Sequence, residues 1–122
     1  MAKQRKIAIV DDDPGMLAGL QNLLDAHGFA VEVFASAEAF CDFYSATPNI
    51  DCLLLDLRLG GMSGIELRRH LKTSGSMLPV IFMTARDDDT LRRQALVEGC
   101  IAYLRKPFGS QLLLEALEKA TA

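Results

Sequence analysis

The chain has 122 residues, 50% of them apolar and 24% charged, with a formal net charge of −3. That length supports one domain, residues 1–122, with a core that needs no metal or disulfide staple. Its Lys and Arg residues are scattered rather than striped, which excludes a basic footprint for nucleic acid. The basic start, Met1 to Lys6, leads into only four apolar residues and then three aspartates, too short for a signal peptide or a membrane span. Cys41, Cys52 and Cys100 are odd in number, far apart and set among apolar residues. They read as free thiols in a reducing compartment, with the cytoplasm the default.

In chain order, Ile7 to Val10 is a first strand, followed by Asp11, Asp12 and Asp13. Asp13-Pro14 then opens a helix with an acid at the N-cap and proline at the first helical position. Met16, Leu20, Leu23 and Leu24 recur at helical spacing, and Gly28 closes the helix. From Phe29 to Phe34, apolar Phe29, Val31 and Val33 alternate with Ala30 and Glu32, the pattern of a half-exposed edge strand. Ser36 caps a second helix with Phe40, Phe43 and Tyr44 as its core stripe, ending before Pro48.

Leu53-Leu54-Leu55-Asp56 reads as a fully buried strand that delivers one acid at its carboxyl end. Gly60-Gly61 makes a loop, and a third helix runs from about Gly64 to Lys72. Pro79 introduces the strand Val80 to Thr84, after which Asp87, Asp88 and Asp89 supply the acidic first turn of a fourth helix that stops at Gly99. Ile101 to Leu104 is the last strand, broken at Lys106-Pro107. Leu113, Ala116, Leu117 and Ala120 then mark a fifth helix. Five alternations of strand and helix predict an α/β fold, a doubly wound parallel sheet with helices on both faces.

Parallel strands bring the polar ends of these runs to one edge. Two carboxylates about 4 Å apart repel by roughly 4 kcal/mol at an effective dielectric near 20. Against a typical domain stability of roughly 5 to 15 kcal/mol, Asp11, Asp12 and Asp56 together are costly. Protonation, a lysine or a hard divalent cation must relieve them. With only oxygen ligands at hand, that cation is magnesium, which keeps waters and leaves room for phosphate oxygens. Lys106 is placed to neutralise a carboxylate or a phosphoryl oxygen, and Thr84 to offer it a hydroxyl. Relieving the repulsion by Asp12→Asn should stabilise the metal-free fold. His27 and His70, on or at the ends of predicted helices, are read as surface residues.

Val10-Asp11-Asp12-Asp13, Leu55-Asp56 with Gly64 eight residues on, Met83-Thr84-Ala85 and Leu104-Arg105-Lys106-Pro107-Phe108 together resemble the receiver domain of two-component response regulators, nearest the nitrogen-fixation regulator type. The resemblance covers nearly the whole chain. It implies a flavodoxin-like five-stranded sheet of order 2-1-3-4-5 with five helices, and a site at the topological switch point. It further implies that Asp56 is the phosphoacceptor, Asp12 the principal metal carboxylate assisted by Asp11, and the carbonyl of Arg58 another magnesium ligand. Lys106 would hold a phosphoryl oxygen, Thr84 would report phosphorylation, Tyr103 would be the switch aromatic, and Pro107 would follow a cis peptide bond.

The implied partners are a sensor histidine kinase or phosphotransfer protein, and a second copy, in a homodimer formed on phosphorylation through helix 4, strand 5 and helix 5. No direct nucleic-acid binding and no membrane association are expected, and the domain is expected to be a regulator rather than an enzyme. One departure from the family pattern and one pair of flanking arginines stand out. Gly60-Gly61 occupies the place where the family has proline, which loosens the loop beside the site. Arg58 and Arg86 each follow a site residue by two positions, where their guanidinium groups would pair with the phosphoryl group or the acids. The alternatives are a haloacid-dehalogenase-like phosphatase using Asp11 and Asp13, and an unphosphorylated interaction module of the same fold.

Overall fold

Strands and helices alternate strictly along the chain. The computed structural model describes residues 4–86 and 88–122. It contains β1 (Lys6–Val10), α1 (Pro14–Ala26), β2 (Ala30–Phe34), α2 (Ala37–Ala46), β3 (Cys52–Asp56), α3 (Gly64–Thr73), β4 (Val80–Thr84), α4 (Asp89–Glu98), β5 (Ala102–Arg105) and α5 (Ser110–Ala120). All pairings are parallel and the sheet order is β2-β1-β3-β4-β5, as the resemblance implied. Met1–Lys3, part of the basic start, and Asp87, one of three acids assigned to the fourth helix, lie outside the described residues.

Burial explains the three strand patterns. β3 and β4 are buried throughout and β1 nearly so, because each has a strand on both sides and helices on both faces. β2 is half-buried along its whole length, as its alternation predicted for an edge. One core layer joins Val10, Leu53, Leu55 and Phe82 to Phe40 of α2, Leu67 and Leu71 of α3 and Ala95 of α4. The other joins Ile9, Leu54, Met83 and Leu104 to Leu24 of α1 and Leu113 and Leu117 of α5. Phe40 stacks on Tyr44 at 5.3 Å and meets Phe34 edge-on at 5.5 Å, so the aromatic stripe of α2 is core.

Asp13 and Ser36 cap helices as the sequence predicted, and Ser63 and Asp88 cap two more. Asp13, Ser36, Ser63 and Asp88 each accept a backbone N–H at the start of a helix, and Pro14 is the first residue of α1. Several boundaries shift by a residue, among them the starts of β1 at Lys6 and β3 at Cys52 and the span of β5 at Ala102–Arg105, and two further shifts have a local reason. β2 begins at Ala30 because the Phe29 N–H is spent on Leu24 O in closing α1, and α4 begins at Asp89 because Asp88 is the cap itself. The three cysteines are free, and burial pushes the Cys52 thiol up to about 12. His27 and His70 are exposed. No described helix is long and apolar enough to cross a membrane.

Candidate functional site

Register decides which side chains meet. Val10 lies beside Leu55 in the sheet, so the next residues on the two strands, Asp11 and Asp56, stand next to each other at the carboxyl edge. Side chains alternate between faces along a strand. Asp11 therefore shares a face with Ile9, and Asp56 with Leu54, over the α1 and α5 side. Lys106 follows Leu104 on that same face. Its backbone N–H is fixed on Thr84 O at 2.7 Å, and the bond to Pro107 is cis.

The lysine closes the group. Its Nζ lies 2.6 Å from Asp11 Oδ2 and 3.1 Å from Asp56 Oδ2, spanning 95 and 50 residues of chain. Asp11 is fully buried and its Oδ1 accepts the Asp13 N–H at 2.9 Å. Asp56 is nearly buried, and its Oδ1 accepts the Arg58 N–H at 3.0 Å. Burial raises the Asp56 carboxyl above its usual range, against the opposing pull of the Arg58 N–H and Lys106, and the Asp11 charge adds to the rise. Burial works against the charge on Lys106, but the hydrogen bond to Asp11 and the charges of Asp56 and Asp11 outweigh it and raise its pKa.

Asp12 is exposed, yet it offers an oxygen to a set in which one carboxylate oxygen from each of Asp11, Asp12 and Asp56 lies within 4.8 Å of the others. Three carboxylates with one solvent-facing member fit a small hard cation that retains waters. The residues present therefore suit magnesium.

Thr84 and Tyr103 belong to the other face. Thr84 is an even-numbered step from Phe82, which pairs with Tyr103 across β4 and β5. The buried Thr84 hydroxyl donates to Arg86 O and accepts from Arg86 N, each at 3.1 Å. So the hydroxyl is turned to its own loop rather than bonded to Asp56. The Tyr103 ring packs on the α2, α3 and α4 layer, its hydroxyl oxygen is buried, and the Arg92 guanidinium lies 6.0 Å from the ring centroid.

Several expectations are refined by this geometry. Asp13 accepts the Gly15 N–H as the cap of α1, so it is spent on the helix, and the phosphatase reading that needed it loses its second acid. The Arg58 and Arg86 side chains are exposed and, among the described residues, neither is paired with the acid cluster. Glu38, which the sequence did not single out, accepts the Met62 N–H at 2.9 Å and so reaches the loop after Asp56. No local pattern signals a contact 24 residues away. Gly61 is at φ +72°, and a Cβ there would lie 2.7 Å from Glu38 Oε2. The glycine pair thus admits a tether as well as loosening the chain.

Comparison with known proteins agrees with this arrangement. The profile of the response regulator receiver domain matches residues 7–118. The chain is 36% identical to the transcriptional regulatory protein FixJ of Bradyrhizobium diazoefficiens over 122 residues, which is 98% of this chain and 58% of that protein. It is 35% identical to the response regulator protein TodT of Pseudomonas putida over 114 residues, 93% of this chain and 50% of that one. The crystal structure of FixJ-N superposes with a TM-score of 0.90 at 34% identity, covering 98% of this chain and 95% of that one. The chain spans about half the length of the curated relatives it matches. With the acids, threonine and lysine at the carboxyl edge of a 2-1-3-4-5 sheet, the chain belongs to the receiver domains of two-component response regulators.

Proposed function

We propose that Asp56 is the phosphoacceptor of this receiver, with residues 1–122 acting as one domain in the cytoplasm. The observation that carries this reading is Lys106 Nζ held between Asp11 and Asp56, one of them fully buried, where four strands end. A carboxylate oxygen of Asp56 attacks the phosphorus of a phosphohistidine on a kinase or phosphotransfer protein. The O–P bond forms as the P–N bond breaks, and the imidazole leaves with the electron pair.

The chain's residues then divide the work. Asp11, Asp12, Asp56 and the carbonyl of Arg58 would hold the metal; when bound, magnesium neutralises charge on the carboxylates and phosphoryl oxygens. The Arg58 N–H orients one oxygen of Asp56, leaving Oδ2, now on Lys106, as the reacting atom. Lys106 follows that oxygen and pairs with the phosphoryl group. Ala85 is small and exposed, which keeps the approach open.

Phosphorylation gives Thr84 a new acceptor. Its hydroxyl leaves Arg86 O for a phosphoryl oxygen, the loop into α4 shifts, and Tyr103 on the same sheet face follows. The surface of α4, β5 and α5 is then read by a partner, here a second copy or an output domain. The role is regulatory: the domain assists only its own phosphorylation and dephosphorylation.

Beryllofluoride with magnesium tests the reading. Amide shifts should move at Asp56, Thr84 and Tyr103 in the wild type and stay still in Asp56→Asn. Identical spectra with and without the reagents would support the inert interaction module instead. Exposed Arg58 and Arg86 are free to swing toward the phosphoryl group. Replacing both by Ala should shorten the half-life of the aspartyl phosphate.

A further inference from the structure

We propose that Glu38 is a positioning residue for the acceptor site, its carboxylate holding the β3–α3 loop in place by accepting the Met62 N–H. This rests on the reading above, because the loop matters through Asp56 and Arg58.

The loop leaves β3 at Asp56 and enters α3 at Gly64. Among the described residues, its other bonds lie at its ends. Arg58 N donates to Asp56 Oδ1, Gly64 N to Leu57 O, and Ser63 forms a reciprocal cap with Glu66. Between them stand Gly60 and Gly61, the pair with the most backbone freedom to lose. Glu38 reaches into that gap from another helix. It sits in the first turn of α2, capped by Ser36 and anchored by buried Ala37 and Phe40, so its backbone is fixed while its side chain crosses to the loop.

Two further observations make this a fitted contact. Gly61 has φ +72°, and a Cβ there would fall 2.7 Å from Glu38 Oε2 and 3.4 Å from Glu38 Cδ, so the carboxylate fits only against a residue with no side chain. The Met62 N–H holds the Glu38 carboxyl below its ordinary range, the direction expected of a charged acceptor on an amide. Without the tether, the loop samples more conformations. The fraction ready to present Arg58 beside Asp56 falls, and apparent metal affinity falls by the same factor.

The test follows magnesium binding and Met62 amide exchange in the full chain by nuclear magnetic resonance. In Glu38→Ala the metal-free protein should exchange its Met62 amide faster and the apparent magnesium Kd should rise about five-fold. Glu38→Gln, which keeps an oxygen acceptor, should restore most of both. Gly61→Ala, which keeps the carboxylate but drives it away, should match Glu38→Ala in both. Faster Met62 exchange in Glu38→Ala with unchanged magnesium affinity would overturn the positioning role. Unchanged Met62 exchange would overturn the tether itself. A wild-type chain that binds no magnesium would instead remove the acceptor-site reading and this role with it, whatever Met62 does.

Discussion

Lys106 is the residue on which the site's electrostatics turn. It supplies one positive charge to two carboxylates at 2.6 and 3.1 Å, so its removal leaves a buried Asp11 and a nearly buried Asp56 side by side. We expect Lys106→Ala to destabilise the metal-free domain by about 2–3 kcal/mol, and magnesium to recover part of that loss; urea denaturation with and without the ion measures both.

Asp56 contributes with the opposite sign. Its folded pKa stands above the ordinary value of 3.8, so the folded state takes up its proton first as pH falls. The group therefore costs stability at pH above its folded pKa, and the cost vanishes below about 3.8, where both states are protonated. Asp56→Asn should gain of order 1 kcal/mol at neutral pH, allowing for solvent beside the site, and nothing well below pH 3.8. Paired urea titrations at the two pH values check the sign. The gain expected at Asp12 from sequence is smaller, because its carboxylate is exposed and water already screens it.

At the scale of elements, β3 and α3 are joined more tightly than their loop suggests. The first residue of α3, Gly64, lies so close to the end of β3 that a Cβ would come 2.9 Å from Leu57 Cα and closer still to Asp56 O. Both neighbours are backbone and cannot step aside cheaply. Gly64→Ala should cost about 2–3 kcal/mol and weaken magnesium binding by displacing Asp56. Ser63→Ala, one residue earlier, removes a cap and should cost about 1 kcal/mol of unfolding free energy in urea denaturation while leaving the ion's affinity near wild type.

The elements themselves were legible because their signals are local: Asp13-Pro14, Ser36 and Gly28 bracket helices, and apolar runs of four or five mark strands. Boundaries slipped by a residue at several ends, and at Phe29 and Asp88 a capping bond claimed the residue. Glu38 was illegible for a related reason. Its partner is a backbone amide, which carries no residue identity to pattern against.

For the whole molecule, the sheet sets a gradient of stability from centre to edge. β1, β3 and β4 are buried and paired on both sides, whereas β2 and β5 are edges with half-buried or exposed positions. Amide hydrogen exchange should be slowest in Ile9, Leu54 and Ile81, at or near the global unfolding free energy, and faster in Val33 and Tyr103. A β5 as protected as β3 in the metal-free protein would contradict that gradient, and with it a switch that operates through Tyr103.

From its residues alone this chain declares an alternating α/β domain whose apolar runs each end on a polar group, because periodicity, caps and breakers act over a few neighbours. Its motif set also names its family. Whether Asp11 and Asp56 touch, that Lys106 bridges them, that Thr84 and Tyr103 share the opposite face and that Glu38 ties down Met62 came only with the folded sheet. The hydrogen-bonded contacts among these span 24 to 95 residues, and strand register and parity at the sheet edge, with the packing of α2 beside the β3–α3 loop, bring such distant positions together.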